Sequence, residues 1–550
     1  MRRAPRLLLA VLLFGTMLRL VHYLLGRSLW LDEARLALDI ASLTWTELLK
    51  PLPYDQAGPP LFLWGVKALT AGLGVNEWTL RAIPLAAGIG VVWLIYPVAR
   101  RFVSAPAATV AAAIVAFSPS LIFFSNEVKP YSTDAFATLV LLALAAAWHE
   151  RPEDTRRWAV LTVAGAIAVW LSVPAVLVLA GIGCASLLHG VIRSRRFVQL
   201  VASGTVWVLS FLTAYLLVYQ PASRSPYLRE YWAPALLVPG TPDLARRAWL
   251  VLRALVWGIP FGHPGPIYAS PIELLLMSPM TVLVVIVMGL GVARLLREGK
   301  ARAALALAPL AVMLAATVVG AYPLALRLSL FTAGLLVILV VAGIEWMATD
   351  VRATRRSLVG GAVAGLLLAL PVTHAIPDLI RWPAPQHARP LIQRYEAAAG
   401  GEPIYVHPGA LPAWAFYTTD WAAPDTARLA FLSRIGSSGG AAFENAPSRG
   451  AVVEEGAART YRGRKEIFGV PVGLQLHAFL GRTKALPDSG WTEHEIRRIR
   501  SEADSAVWLL FAHLSGQGPE MEFLEEIRGN AISEARWYER GVGLMRFQLR

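Results

Sequence analysis

Between residues 7 and 373 the chain returns repeatedly to apolar runs of bilayer length with few charges, and this recurrence restricts it to one class of fold. Apolar runs of about 17–25 residues cross a hydrocarbon core as helices, because every backbone N–H and C=O must then be bonded within the segment. The runs fall near Leu7–Leu25, Leu80–Val98, Ala105–Ile122, Thr133–Trp148, Trp158–Leu171, Val173–Ile192, Val198–Tyr219, Ile272–Ala293, Ala303–Ala321, Leu324–Met347 and Leu358–Thr373. They predict about eleven transmembrane helices over residues 1–374. Charged residues are correspondingly scarce, 16% of 550 where a soluble chain carries roughly 25%. The start, Met1–Arg6 followed by Leu7–Leu25, has the layout of a signal peptide. No small-residue cleavage site follows, so it reads as the first span.

The net charge of +14 comes largely from short arginine clusters between the runs. Arg2/Arg3/Arg6, Arg100/Arg101, Arg156/Arg157, Arg193/Arg195/Arg196, Arg294/Arg297/Lys300/Arg302 and Arg352/Arg355/Arg356 all fall on one side. By the positive-inside rule that side is cytoplasmic. The N-terminus is then cytoplasmic, and Asp32-Glu33, Asn126–Tyr131, Tyr322–Arg327 and everything after Thr373 lie outside. Such clusters suit anionic lipid headgroups. No nucleic-acid reading motif accompanies them, so nucleic acid is not an expected partner. The single cysteine, Cys184, excludes a disulfide within one chain.

Two long outer connections are expected. The first, residues 26–79, contains amphipathic pieces at Leu31–Leu49 and Leu61–Leu73, read as lying along the interface with Trp45 and Trp64 at headgroup level. The second runs from Gln220 to Pro271, with another interfacial helix expected at Trp249–Pro260. Residues 375–395, with Pro377, Pro383, Pro385 and Pro390, read as a linker. Residues 396–550 read as a soluble extracytoplasmic α/β domain. Its strands are expected at Glu402–Val406, Ser505–His513 and Val542–Leu549, its helices at Ala410–Tyr417 and Glu520–Arg528, and Ser437–Gly440 as a loop. No Walker loop, dinucleotide fingerprint or internal repeat is present.

Four polar clusters sit on the outer side: Asp32-Glu33, Asp55–Pro60, Ser125–Tyr131, and Tyr322-Pro323 with Arg327. Each taken alone reads as headgroup-level residues that pair or snorkel. Together they supply what transfer from a phosphate-linked donor requires. A carboxylate takes the acceptor proton, and lysine or arginine steadies the departing phosphate. Arg19, inside the first span, either serves a site or snorkels outward. Asp55 either belongs to the site or turns the chain. Glu77 and Arg81 are spaced to pair on one helix face. No His/Asp/Glu set has clear metal-ligand spacing.

The order of these elements resembles a known family. Leu18-Arg19-Leu20-Val21-His22-Tyr23 ends the first run, and Ser28-Leu29-Trp30-Leu31-Asp32-Glu33-Ala34 follows. Then come Pro59-Pro60-Leu61, Asn76-Glu77-Trp78-Thr79-Leu80-Arg81 and Ser125-Asn126-Glu127-Val128-Lys129-Pro130-Tyr131. The pattern is similar to the polytopic glycosyltransferases of GT-C fold, in the branch with protein O-mannosyltransferases and lipid A aminoarabinose transferases. The resemblance implies an integral-membrane enzyme that moves a sugar from a polyprenyl-phosphate donor to a hydroxyl of a lipid, glycan or protein, with inversion. It implies Asp32 as base for the acceptor hydroxyl, Glu33 as orienting or binding group, and Glu127 as acidic partner. Lys129 and Arg327 would hold the donor phosphate, and Tyr131 would line the substrate site. No cofactor is implied, and this branch generally works without a divalent cation. Two departures stand out. Gly58 occupies a position where relatives often have histidine, and Lys129 one where arginine is common, which replaces a planar fork by a point charge. The alternatives are a transporter or flippase for lipid-linked sugars, and a non-catalytic envelope assembly protein.

Overall fold

In the computed structural model, the described residues run from 3 to 549, apart from 189–194, 225, 265–270, 349–353, 381–384, 437–457, 462–463, 469–495, 498, 504, 513–518 and 530. Arg193, Arg352, Pro383 and the Ser437–Gly440 loop fall outside the described residues. Every apolar run carries helix. Among the described residues seven helices are long and apolar enough to cross a membrane by length and composition: Arg6–Leu24, Glu77–Ala99, Tyr131–Glu150, Phe197–Ser223, Leu274–Glu298, Lys300–Val318 and Leu330–Ala348. Shorter helices, among them Ala105–Phe117, Thr155–Leu171 and Ala175–Leu188, complete the bundle. The chain is a multi-span membrane protein with a sheet-containing C-terminal portion.

Two local breaks shape the bundle. The third run divides at Ser118-Pro119 into Ala105–Phe117 and Pro119–Phe124. Pro119 has no N–H, so the carbonyl four residues earlier, Val115, loses its helical partner. Arg19 supplies the missing donors. Its guanidinium is fully buried and reaches Val115 O at 3.0 Å, Ala116 O at 3.2 Å and Gly15 O at 2.9 Å. Ser118 and Ser120 then bond the carbonyls of Ile259 (2.9 Å) and Gly258 (2.8 Å), which fixes where the next loop begins. Elsewhere helices Leu274–Glu298 and Leu330–Ala348 cross at glycines. A Cβ on Gly343 would lie 1.9 Å from Val287 O, and one on Gly291 2.0 Å from Leu339 O. Only glycine allows that backbone approach.

Among the described residues the C-terminal sheet has six strands: β1 (Ile404–Val406), β2 (Ala458–Tyr461), β3 (Arg464–Phe468), β4 (Ala506–Ala512), β5 (Ala531–Glu539) and β6 (Val542–Leu549), in the order β2-β3-β1-β4-β6-β5. β1 is parallel to β3 and β4; the other pairings are antiparallel. The strands expected around residues 404, 508 and 545 are present. Sequence reading missed β2, β3 and β5, as well as helices Arg389–Ala398 and Thr426–Gly436. The expected linker is largely ordered backbone, helix Thr354–Ile380 on one side and Arg389–Ala398 on the other.

The first outer connection departs from expectation. Helix Leu31–Ser42 does not lie on a headgroup layer, because nine of its residues from Leu31 to Ile40 are buried. Leu29, Ala34 and Leu38 share one apolar core with Phe62 and Val66 of helix Pro60–Leu73, and with Leu391, Trp414 and Trp508 of the C-terminal portion. The apolar face read as membrane-seeking is covered by protein. Trp45 does stay exposed, and its carbonyl accepts from Trp64 Nε1 at 2.8 Å. The segment around Trp249–Pro260 is helical, Leu244–Arg253 continuing through Ala254–Gly258, but Leu255–Gly258 is buried against the bundle.

Candidate active site

Asp32 and Glu33 open helix Leu31–Ser42, where the helix dipole favours negative charge. Adjacent helical positions point about 100° apart, so the two carboxylates enter different surroundings.

Glu33 is fully buried and saturated. Its Oε2 meets Arg81 Nη2 at 2.7 Å and Arg27 Nη1 at 3.1 Å. Its Oε1 accepts from Arg81 Nε at 2.8 Å and from the Val128 amide at 2.9 Å. Burial opposes its charge, and Arg27, Arg81 and the Val128 amide outweigh burial, so its pKa is lowered. Arg27 goes on to Asn126 O (2.7 Å), and Arg81 to Arg27 O (2.7 Å). The carboxylate therefore knots three stretches together: the first outer connection, the start of the second span and the 125–131 loop. Both Glu33 oxygens are taken up by these bonds. Arg81 serves Glu33, so the helix-face pairing with Glu77 is replaced; Glu77 takes Arg389 Nη1 at 2.6 Å instead.

Asp32 keeps 20% of its side chain exposed and faces two cations. Arg327 Nη1 lies 2.5 Å from Oδ2, and Lys129 Nζ 3.9 Å from the same atom. Burial alone would raise the Asp32 pKa. The charges of Lys129, Arg327 and Arg35 outweigh it and hold the carboxyl below the usual range. Arg327 is aimed by aromatic side chains: Nη2 donates to Tyr231 OH at 2.9 Å, and the guanidinium carbon sits 4.9 Å from the Trp232 ring centroid. Lys129 also donates to Gln56 Oε1. Burial pulls the Lys129 pKa down.

Glu127, from the same loop as Lys129, is 1% exposed. Its Oε1 accepts from Trp30 Nε1 at 2.7 Å, while Oε2 is buried with no hydrogen-bond partner among the described residues. Burial first, and the Glu33 charge second, push its pKa up to about 7. The carboxylates thus divide into a fixed anion, an accessible anion and a group near its midpoint at neutral pH.

The other expected site residues are placed variously. Tyr131 opens helix Tyr131–Glu150, buried, with its ring edge-on to Phe124 at 5.3 Å. Asp55 adopts a left-handed φ of 55° and, with Gln56, Pro221 and Arg224, lines a cavity of about 260 Å³. Gln56 links that cavity to Lys129. Asp55 therefore both turns the chain and borders an opening beside the site. Arg19 is not drawn into the Asp32 cluster; it closes the break at Pro119 and does not snorkel. Sequence reading quoted Trp30 and Gln56 in its clusters without a role, missed Tyr231 and Trp232, and took Arg81 as a local partner. The Tyr231-Trp232 pair beside an arginine-rich loop is the signal that was there to be used. Among the described residues no group of three or more His, Cys, Asp or Glu side chains is set to hold a metal ion.

Residues 57–219 match the family model described as dolichyl-phosphate-mannose-protein mannosyltransferase. The match covers Pro59-Pro60-Leu61, Asn76–Arg81 and Ser125–Tyr131, three of the elements on which the resemblance rests. No curated protein sequence matches the chain. Among solved structures, ArnT from Cupriavidus metallidurans bound to undecaprenyl phosphate is similar over 98% of this chain and 97% of that one, at 13% identity and a TM-score of 0.46. The archaeal oligosaccharyltransferase AglB from Archaeoglobus fulgidus, in complex with an inhibitory peptide and a dolichol-phosphate, is similar over 74% of this chain at 13% identity and a TM-score of 0.45. This chain spans 63% of the length of that protein.

Proposed function

We propose that the chain is a membrane glycosyltransferase that moves a sugar from a polyprenyl-phosphate donor to a hydroxyl acceptor on the outer face of the cytoplasmic membrane. The observation that carries this reading is the partly exposed Asp32 held between Lys129 and Arg327. The family match over residues 57–219 supports it. The single-sided arginine clusters support an extracytoplasmic site and C-terminal portion.

The chemistry follows from the charges. The acceptor O–H gives its proton to Asp32 as its oxygen attacks the anomeric carbon. The bond from that carbon to the phosphate oxygen breaks, and polyprenyl phosphate leaves with the electron pair. Attack opposite the leaving group inverts the anomeric centre. Lys129 and Arg327 stabilise the phosphate as its charge grows. These are the cations that depress the Asp32 pKa, so a phosphate that shares them returns basicity to Asp32 when the donor is bound. Donor sugars of this reaction are hexosyl or pentosyl units. The acceptor is a lipid, glycan or protein hydroxyl.

The test uses the full chain in nanodiscs with a panel of polyprenyl-phosphate sugars and a cell-envelope extract as acceptor source. Release of free polyprenyl phosphate that disappears in Asp32→Asn is the expected result. No release from any donor by folded protein would overturn the reading.

A further inference from the structure

The segment that leads into Asp32 is gripped by residues from the far end of the chain. Helix Leu31–Ser42 begins without a cap of its own, since Trp30 makes no side-chain capping bond. Its first amide, Leu31 N, donates instead to Gln386 Oε1 at 2.9 Å. That side chain meets one of the orphan donors every helix start leaves open. Two residues earlier, Leu29 N donates to Tyr417 OH at 2.7 Å, and the same hydroxyl donates to Glu77 Oε1 at 2.9 Å. Ser28 Oγ pairs with His387 Nδ1 at 2.9 Å and accepts from the Arg389 amide at 3.2 Å. Arg389 Nη2 closes the grip on Gly26 O at 2.9 Å.

The gripping residues are themselves anchored to the sheet. The His387 amide donates to Arg540 O, at the turn between β5 and β6, at 2.8 Å. Gly541, in that turn, lies so close to Pro385 O that a Cβ would come within 2.2 Å. Tyr417 belongs to helix Leu411–Thr418, which packs on helix Leu31–Ser42 through the shared apolar core. Apolar packing alone would hold the two portions together without fixing a register. The bonds to Gly26, Ser28, Leu29 and Leu31 fix one, immediately before Asp32.

We propose that the C-terminal α/β portion is an intramolecular clamp, in which Gln386 and Tyr417 act as positioning residues that set where the Asp32-bearing helix begins. Its kinetic consequence rests on the transferase reading above; its structural consequence does not.

Two variants of nearly unchanged volume test it in the full chain in nanodiscs: Tyr417→Phe, which removes the acceptor for Leu29 N, and Gln386→Met, which removes the acceptor for Leu31 N. Amide hydrogen exchange is followed over residues 26–34 and over β4 and β6, alongside kcat and donor KM for polyprenyl-phosphate sugar turnover. Losing one such bond is expected to raise exchange over 26–34 roughly tenfold, with the sheet unchanged. Misplacing Asp32 is expected to lower kcat roughly ten- to a hundredfold. Donor KM stays within about twofold, because Lys129 and Arg327 are untouched. Wild-type exchange over 26–34 in both variants would overturn the clamp. So would raised exchange with unchanged kcat. A wild-type protein that turns over no donor would overturn the transferase reading alone, and the exchange measurement would then decide the clamp by itself.

Discussion

Arg327 reaches back across 295 residues to place its Nη1 atom 2.5 Å from Asp32 Oδ2. The contact joins the segment before the Leu330–Ala348 helix to the first outer connection. It makes the charge of Asp32 dependent on a residue that a donor phosphate would also claim.

Replacing Asp32 by asparagine keeps the shape and removes the proposed base. Turnover is expected to fall by about 10²–10⁴-fold, the usual worth of a positioned general base. Donor affinity should be retained. Single-turnover release of polyprenyl phosphate, together with equilibrium donor binding, separates the two.

Arg327→Gln removes a cation and the hydrogen bond to Asp32. A loss of about 10²–10³-fold in kcat/KM is expected, comparable to deleting one oxyanion donor. Arg327→Lys should recover part of it, since a point charge keeps the sign but not the fork that meets Tyr231 and Asp32 together. Steady-state kinetics of both variants measure this.

Glu127 carries a pH dependence. Its pKa is raised to about 7, so below that pH it is neutral and above it a further anion acts on Lys129 and Arg327. The donor phosphate is anionic, so donor KM is expected to rise as pH increases through about 7. Glu127→Gln should keep KM low and flat across the same range. A pH series of initial rates at several donor concentrations checks it.

Glu33→Gln leaves Arg27 and Arg81 buried without their counter-ion. Breaking such a network from one side costs about 3–5 kcal/mol. The variant should unfold at markedly lower temperature than Asp32→Asn, whose partners are nearer solvent. Thermal unfolding of the two variants in the same lipid decides whether the adjacent carboxylates do have separate jobs.

Each apolar run falls on helix among the described residues, because hydrophobicity over some 20 residues is local information. Asp32, Lys129 and Arg327 were legible as outer-face charges, and the structure brings them together. What was hidden depends on distance along the chain. Glu33 was expected to orient the site or to bind substrate; the knot it forms was not visible, because its partners Arg81 and Val128 stand 48 and 95 residues away. Arg81 was assigned to Glu77 by helix spacing, a rule that loses to a buried carboxylate. The face of Leu31–Ser42 read as membrane-seeking, since an apolar stripe looks the same whether lipid or Trp414 covers it. Strands β2 and β3, four and five residues long, carry too little periodicity to be seen alone.

The bond from Arg19 to Val115 bears on how the protein is made. A lone arginine within a lipid-facing helix is costly, and two of the three carbonyls that satisfy this one belong to a helix about a hundred residues further on. Until that helix has left the ribosome, the first span carries a charge without its counterpart. Pro119 likewise frees a carbonyl that has no donor until Arg19 is beside it. Each helix is incomplete as a membrane segment on its own. Side by side they satisfy each other, the arginine taking the carbonyls that the proline leaves open.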